Sequence, residues 1–165
     1  MNRSIHPSLF HIISCSCPAA YAVISGNADN PQLHGKAYFY NTNFGGTLVE
    51  VEITGLPDIE KQYQSSFYGM HIHENGDCTL PFDKTGNHYN PCNLPHPFHA
   101  GDMPPLLGSC GYAYTIFFSG RFQVNEIIGR SLIIHGSPDD FTTQPSGNSG
   151  TKIGCGVIYK SGSFF

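Results

Sequence analysis

The sequence predicts an all-β fold, and three observations support that prediction. Its periodic segments are short and rich in β-branched and aromatic residues, which favour strands. Its 19 glycines and 12 prolines among 165 residues favour turns over long helices. Long stretches without periodicity separate some of these segments, and long loops inside a compact domain usually carry function. Seven or eight short strands with two long loops indicate an antiparallel β-sandwich or barrel.

The predicted strands follow one another at 21–24, 36–40, 47–53, 67–74, 112–118, 131–135 and 155–159. The strand at 47–53 alternates cleanly, so Val49, Val51 and Ile53 should face the core while the glutamates between them face water. Residues 43–46 read as a hairpin turn, and residues 124–128 as a single helical turn.

Length and composition restrict the class of protein. A chain of 165 residues with 39% apolar residues suits one domain, here predicted at 19–165 after a flexible N-terminal arm at 1–18. Eight scattered lysines and arginines in a chain of net charge −4 form no basic stripe, which argues against a nucleic-acid partner. No apolar run approaches the roughly 18 residues of a membrane-spanning helix.

The cysteines and the N-terminus leave the compartment open. None of the six cysteines forms a C-x-x-C pair, so disulfides are permitted and zinc-finger or thioredoxin readings are excluded. The segment Ile12–Cys15 resembles a lipoprotein cleavage box, but the apolar run before it is too short for a convincing signal peptide. Both a cytoplasmic chain and one exported by this weak signal fit the sequence.

Histidine is the unusual residue, with nine in the chain and five between positions 71 and 99. His71 and His73 form an H-x-H pair at a strand end, where residues i and i+2 share a face. His88 and His135 supply a third and a fourth imidazole, and the segment 96–102 adds two histidines and a carboxylate. Three or four nitrogens suit copper, and a tetrahedral His/Asp set suits zinc. The pattern predicts a metal centre.

Six motifs in order make the chain resemble the copper/zinc superoxide dismutase family: G-M-H-I-H-E at 69–74, G-N-H-Y-N-P at 86–91, H-A-G-D at 99–102, I-I-H at 133–135, D-D at 139–140 and G-N-S-G-T-K-I-G-C-G-V-I at 147–158. The resemblance implies an eight-stranded Greek-key β-barrel or sandwich of immunoglobulin-like architecture with two long functional loops. It also implies an enzyme that converts superoxide to dioxygen and hydrogen peroxide with copper and zinc. The alternative is a copper- or zinc-binding protein with little turnover.

Carried over to this sequence, the resemblance implies four copper ligands: His71, His73, His88 and His135. It implies four zinc ligands: His88, His96, His99 and Asp102. His88 is then an imidazolate shared by both metals and takes part in catalysis. Asp139 matches a carboxylate that links a copper histidine to a zinc histidine and fixes their tautomers. Cys78 and Cys155 match the family disulfide.

The sequence departs from the family at three places. Lys152 stands where the family has a catalytic arginine, so the positive charge that attracts an anion is kept but the planar fork of donors is lost. The alternative for Lys152 is a solvated surface residue. Only two residues separate His96 from His99, and the alternative for His96 is a capping or solvent-facing loop histidine. Cys92 and Cys110 flank the shortened loop as either a second disulfide or two packed thiols. A homodimer is left open.

Overall fold

The structure is a computed structural model that describes residues 9–43, 45–57 and 67–162. Its nine strands are β1 (Ala20–Gly26), β2 (His34–Asn41), β3 (Thr47–Thr54), β4 (Phe67–Tyr68), β5 (Met70–His73), β6 (Leu106–Leu107), β7 (Tyr112–Ser119), β8 (Ser131–His135) and β9 (Lys152–Lys160). Its two short α-helices are α1 (Leu9–Cys15) and α2 (Val124–Ile127). The predicted hairpin turn lies between β2 and β3, with residue 44 outside the described residues.

Seven strands form one antiparallel sheet in the order β5-β8-β9-β1-β2-β3-β7, and β4 pairs with β6 in a separate ribbon. The sheet curls into a half-barrel around one apolar core, and it pairs β3 with β7 and β1 with β9, strands that are not consecutive in the chain. This confirms the all-β antiparallel prediction. β5 and β8 lie together at one end of the sheet, where two long loops begin.

The count of nine strands has a local cause at Gly69, which interrupts the strand predicted at 67–74. The Gly69 N–H donates to Ser137 O at 2.8 Å, and Gly69 O accepts from the N–H of His135 at 2.8 Å. The chain therefore changes partner at this residue, so that β4 pairs with β6 and β5 pairs with β8. β6 has only two residues, too few to produce a periodic signal in the sequence.

The alternation predicted in β3 is confirmed. Val49, Val51 and Ile53 are completely buried, and each such side chain contributes about 1.5–3 kcal/mol through burial. Glu52 is exposed, whereas Glu50 is half-buried because two tyrosine hydroxyls donate to its carboxylate.

The helices divide into one that was predicted and one that was not. The predicted turn at 124–128 is α2, which begins with a capping box formed by Gln123 and Glu126. The segment 1–18, predicted as a flexible arm, contains α1, whose Ile12 is buried against Tyr40 and Leu48. Residues 1–8 of that segment lie outside the described residues. No helix in the described part of the chain is long and apolar enough to cross a membrane.

Candidate metal centre

Two adjacent strands and the loop between β5 and β6 bring seven predicted ligands to one end of the sheet. His71 and His73 lie on the same face of β5, and His135 ends the neighbouring strand β8. The loop supplies the other four: His88, His96, His99 and Asp102. None of the seven residues is more than 6% exposed, so these polar side chains face one another beneath the protein surface.

Main-chain bonds fix the loop against β5. The N–H of Ile72 donates to Gly101 O at 2.9 Å, and Ile72 O accepts from the N–H of Tyr89 at 2.8 Å. A Cβ atom at Gly101 would lie 2.3 Å from Ile72 O, so the glycine of the H-A-G-D motif permits this close approach. The loop thus continues the pairing of β5 and carries its ligands over the strand's histidines.

The first group of ligand atoms belongs to four imidazoles: His71, His73, His88 and His135. Atoms of these four rings lie within 4.8 Å of one another. His73 Nε2 and His135 Nε2 are 3.4 Å apart, and both rings present this nitrogen to the same point. His71 Nδ1 and His88 Nε2 are buried and have no hydrogen-bond partner among the described residues. Four lone pairs aimed at one place suit a metal ion.

The opposite nitrogen of each strand histidine in this group is bonded to the protein. His73 Nδ1 lies 2.9 Å from Gly86 O, and His135 Nδ1 lies 3.2 Å from Gly150 O. Donation of that N–H to the carbonyl leaves the other nitrogen unprotonated, the tautomer that a metal needs.

The second group comprises His88, His96, His99 and Asp102, again with ligand atoms within 4.8 Å of one another. Asp102 Oδ1 lies 2.7 Å from His88 Nδ1 and 3.3 Å from His99 Nδ1. Asp102 Oδ2 lies 3.2 Å from His96 Nδ1, yet this nitrogen has no hydrogen bond within the described chain. Three nitrogens and one carboxylate oxygen match the tetrahedral ligand set of zinc.

His88 belongs to both groups through opposite ring nitrogens. Its Nδ1 lies against Asp102 in the second group, and its Nε2, buried without a hydrogen-bond partner among the described residues, is the nitrogen left for the first. Its ring stacks on that of His71 with centroids 3.9 Å apart. One imidazole therefore stands between two adjacent candidate metal sites.

Asp139 links the two groups a second time, from behind the rings. Its Oδ2 lies 2.7 Å from His71 Nε2, and its Oδ1 lies 2.9 Å from His96 Nε2. Burial opposes ionisation of this carboxyl, but hydrogen bonds from His71 and from the N–H of Phe141 outweigh it and lower the pKa to about 2. One carboxylate therefore contacts a histidine of each group.

Burial also sets the charge of the strand histidines. It lowers the pKa of His73 to about 2 and that of His135 to about 3, since the apolar surroundings disfavour a charged ring. Burial lowers the pKa of His71 in the same way, against the opposing hydrogen bond with Asp139. Neutral imidazoles with available lone pairs are the form that binds metals.

Lys152, the first residue of β9, is the cation beside the first group. Its Nζ donates to Thr85 Oγ1 at 2.8 Å, to Gly86 O at 3.3 Å and to Phe82 O at 3.4 Å. It lines a cavity of about 470 Å³ together with His73, His88 and His135. Half-burial lowers the pKa of Lys152. The structure therefore excludes the solvated surface lysine considered from the sequence.

One disulfide is present among the described residues, and it is the predicted one. Cys78 and Cys155 are joined across 77 residues, with their Cα atoms 5.7 Å apart. Cys92 and Cys110 are free and exposed. The second disulfide considered from the sequence is therefore absent, and so is the pair of packed thiols that was its alternative.

Three further residues touch the second group and were not singled out in the sequence. Gln144 and Arg121 hydrogen-bond to the main chain at 96–99. Gly147, with φ of +66°, lies where a Cβ would come 1.8 Å from Asp139 Oδ1 and 2.7 Å from His96 Nε2. A lone glutamine and a lone arginine give no motif signal, whereas Gly147 belongs to a quoted motif whose role only the packing reveals.

Comparisons with known proteins agree with this geometry. The family model described as copper/zinc superoxide dismutase (SODC) matches residues 33–158. Superoxide dismutase [Cu-Zn] of Deinococcus radiodurans is 34% identical over 135 residues, 68% of this chain and 70% of that protein. Superoxide dismutase [Cu-Zn] 3 of Arabidopsis thaliana is 34% identical over 158 residues, covering 84% and 88%. A crystal structure of a double mutant of a superoxide dismutase-like protein from Bacillus subtilis matches with TM-score 0.73 and 29% identity, covering 84% of this chain and 96% of that chain.

Proposed function

The chain belongs to the copper/zinc superoxide dismutase family, and from that premise we propose that it converts superoxide to dioxygen and hydrogen peroxide. One observation carries the proposal: His88 offers Nε2 to one buried ligand group and Nδ1 to the other. Membership of both ligand groups sets His88 apart from the other histidines, because an imidazole in that position can bridge two metal ions. Copper and zinc are the metals that the family implies.

In this proposal the four imidazoles hold copper and the His/Asp group holds zinc. Four nitrogen ligands suit the tetragonal preference of Cu(II), and a carboxylate with three imidazoles suits tetrahedral Zn(II). Copper, when bound, supplies reversible one-electron chemistry, whereas zinc does not change its oxidation state. The buried nitrogens without partners, His71 Nδ1 and His88 Nε2, fit this assignment because each has a lone pair that nothing in the described chain satisfies.

We assign the proton step to His88. Its ring is held by Asp102 and by stacking on His71, so Nε2 keeps its direction whether or not it carries a proton. The residue is only 4% exposed, yet it lines the cavity that opens to solvent. Nε2 is therefore placed to take up a proton from the solvent side and to give it to a reduced oxygen species.

Lys152 is proposed to attract the substrate anion. An ammonium group has three protons, and the three acceptors around Nζ match that number. The side chain thus contributes positive charge to the cavity wall while its hydrogen bonds are directed into the protein. Lys152 is paired with His135, on the adjacent strand β8.

This arrangement of Lys152 also favours a second candidate function, a copper- or zinc-binding protein with little turnover. A cation whose protons are all engaged cannot position a small anion as an arginine fork does. Metal analysis and a dismutase assay after loading with both metals distinguish the two candidates. The enzyme should hold one copper and one zinc per chain and accelerate superoxide decay. Equal stoichiometry with no acceleration would favour the binding protein.

The electron paramagnetic resonance spectrum of the loaded protein tests the copper ligands directly. Four imidazoles should give a tetragonal Cu(II) signal with nitrogen hyperfine structure. Protein loaded with zinc alone is the matched control and should show neither the signal nor dismutase activity. A spectrum of oxygen-ligated, adventitious copper would refute the assignment of His71, His73, His88 and His135.

A further inference from the structure

The short segment that carries His96 and His99 is held through its main chain by two side chains from elsewhere in the fold. Gln144 makes two of these bonds. The N–H of His96 donates to Gln144 Oε1 at 3.0 Å, and Gln144 Nε2 donates to His96 O at 2.7 Å. The amide of Gln144 therefore satisfies both main-chain groups of His96, as a paired strand residue would.

Arg121 makes the corresponding contacts at the other end of the segment. It follows β7 in the chain, and its Nη1 donates to Pro97 O at 2.7 Å and to His99 O at 3.2 Å. One guanidinium nitrogen thus joins two carbonyls that flank Phe98. Between them, Gln144 and Arg121 bond to the main chain of three of the four residues from His96 to His99.

A physical need for these bonds follows from the shape of the segment. Only two residues separate His96 from His99, and the segment has no strand or helix of its own. Fixing one residue's backbone costs roughly 1–2 kcal/mol in conformational entropy, so an unsupported segment would draw that free energy from metal binding. Hydrogen bonds that already order the segment in the metal-free protein remove this entropy cost from the metal-binding step.

The position of Gln144 is itself fixed by its neighbours. Asp140 Oδ1 accepts from the N–H groups of Thr142 and Thr143 at 2.9 and 2.8 Å, which shapes the turn before Gln144. The same loop supplies Asp139, whose Oδ1 bonds the side chain of His96. His96 is therefore held by this loop through its ring and through its main chain.

We propose that Gln144 and Arg121 are positioning residues for zinc: they hold the main chain of His96–His99 so that the two ligands of this segment are in place before the metal binds. This inference rests on the proposed zinc site. Neither side chain belongs to the ligand group itself. The two residues do for the short segment what a longer, self-supporting loop or a second disulfide would otherwise have to do.

Zinc affinity in four variants tests the proposal: Gln144→Ala, Gln144→Glu, Arg121→Met and the double variant Arg121→Met/Gln144→Ala. Residues that support metal ligands typically affect affinity by about 10–100-fold, so each single change should weaken zinc binding by about tenfold and the double change by more. Gln144→Glu keeps the size and the acceptor but places a carboxylate oxygen against His96 O, so it should weaken zinc at least as much as Gln144→Ala. Competition with a chelator on the folded metal-free protein gives these dissociation constants.

The matched control is Thr142→Ala, which changes the same exposed loop but removes only a bond to Asp140. It should bind zinc like the parent protein. A second readout is the visible spectrum of Co(II) in the zinc site, which should lose its tetrahedral intensity in the double variant and keep it in the control.

The outcomes separate the inference from the proposed function. If the parent protein has no tight zinc site, the proposed function itself is wrong. If the parent binds zinc tightly and the variants unfold at lower temperature but keep zinc affinity within twofold, Gln144 and Arg121 only stabilise the fold. That result would overturn the inference and leave the proposed function standing.

Discussion

Replacing Lys152 by glutamine should slow superoxide dismutation by an amount that can be worked out from the structure. Lys152 Nζ and His73 Nδ1 lie 3.3 and 2.9 Å from the same acceptor, Gly86 O. At a separation of roughly 6–8 Å from the reacting centre and an effective dielectric near 20, one charge contributes about 2–3 kcal/mol. Screening at physiological ionic strength reduces this to about 1 kcal/mol. Lys152→Gln should therefore lose about fivefold in kcat/KM at that salt, rising toward about 30–150-fold as the salt is lowered and screening is lost.

Two other substitutions at this position separate charge from hydrogen bonding. Lys152→Glu reverses the charge and should lower kcat/KM further, with a salt dependence that is weakened or inverted. Lys152→Arg keeps the charge and adds donors beyond the three acceptors that the lysine already occupies, so it should raise the rate constant. The measurement is the rate of superoxide decay against ionic strength for protein preparations of equal copper content.

Lys84→Gln is the matched control for this series. Lys84 precedes Thr85, which accepts a hydrogen bond from Lys152, and carries the same charge, but 68% of its side chain is exposed and it faces Asp77 at 3.9 Å. Its removal changes the net charge equally and should alter kcat/KM by less than twofold at physiological salt, because exposed charges are screened. If Lys152→Gln matches the parent at low salt, Lys152 does not attract the substrate and the electrostatic reasoning is wrong.

Three further changes test the disulfide and the second ligand group. Cys155→Ala opens a 77-residue loop and should lower the free energy of unfolding by about 4–5 kcal/mol in the loop-entropy model. Denaturant unfolding measures this against a Cys92→Ala control, and an unchanged midpoint would contradict a stabilising role for the disulfide. His96→Ala should reduce zinc affinity by at least as much as Asp139→Ala, about 10–100-fold, and unchanged zinc occupancy would show that His96 is not a ligand. Gly147→Ala should weaken zinc comparably, because the added methyl would occupy the space of the Asp139–His96 bond; calorimetry that finds parental affinity would refute that packing account.

Local spacing predicted the H-x-H pair and the H-A-G-D ligands, whereas the division of the histidines into two ligand groups came from the resemblance to the family. The two histidines of an H-x-H pair on a strand lie on the same face of that strand. The H-A-G-D motif places its histidine and carboxylate three residues apart in one tight loop. These are local relations, so the sequence determines them before any tertiary contact forms. The same holds for β3, whose alternation of apolar and acidic residues fixes which face packs on the core.

The parts that sequence reasoning missed depend on contacts between distant residues. Gln144 and His96 are 48 residues apart, and their bonds join a side chain to main-chain groups, which no residue pattern specifies. The helix α1 has seven residues and depends on packing of Ile12 against Tyr40 and Leu48. Cys92 and Cys110 illustrate the opposite error, since an even cysteine count permits a disulfide that the fold does not form.

The shared positions of His88 and Asp139 mean that the two ligand groups cannot be built independently. A shift of His96 moves the carboxylate at Asp139 Oδ1, and the other oxygen of that carboxylate fixes the ring of His71 in the first group. His88 couples the two groups directly, because its rigid ring belongs to both and any movement of the ring shifts a ligand of each. Contacts that hold the segment 96–99 therefore also bear on the orientation of His71 in the first group. In the proposed function, the support that Gln144 and Arg121 give to the short segment 96–99 would therefore extend through Asp139 to the first group.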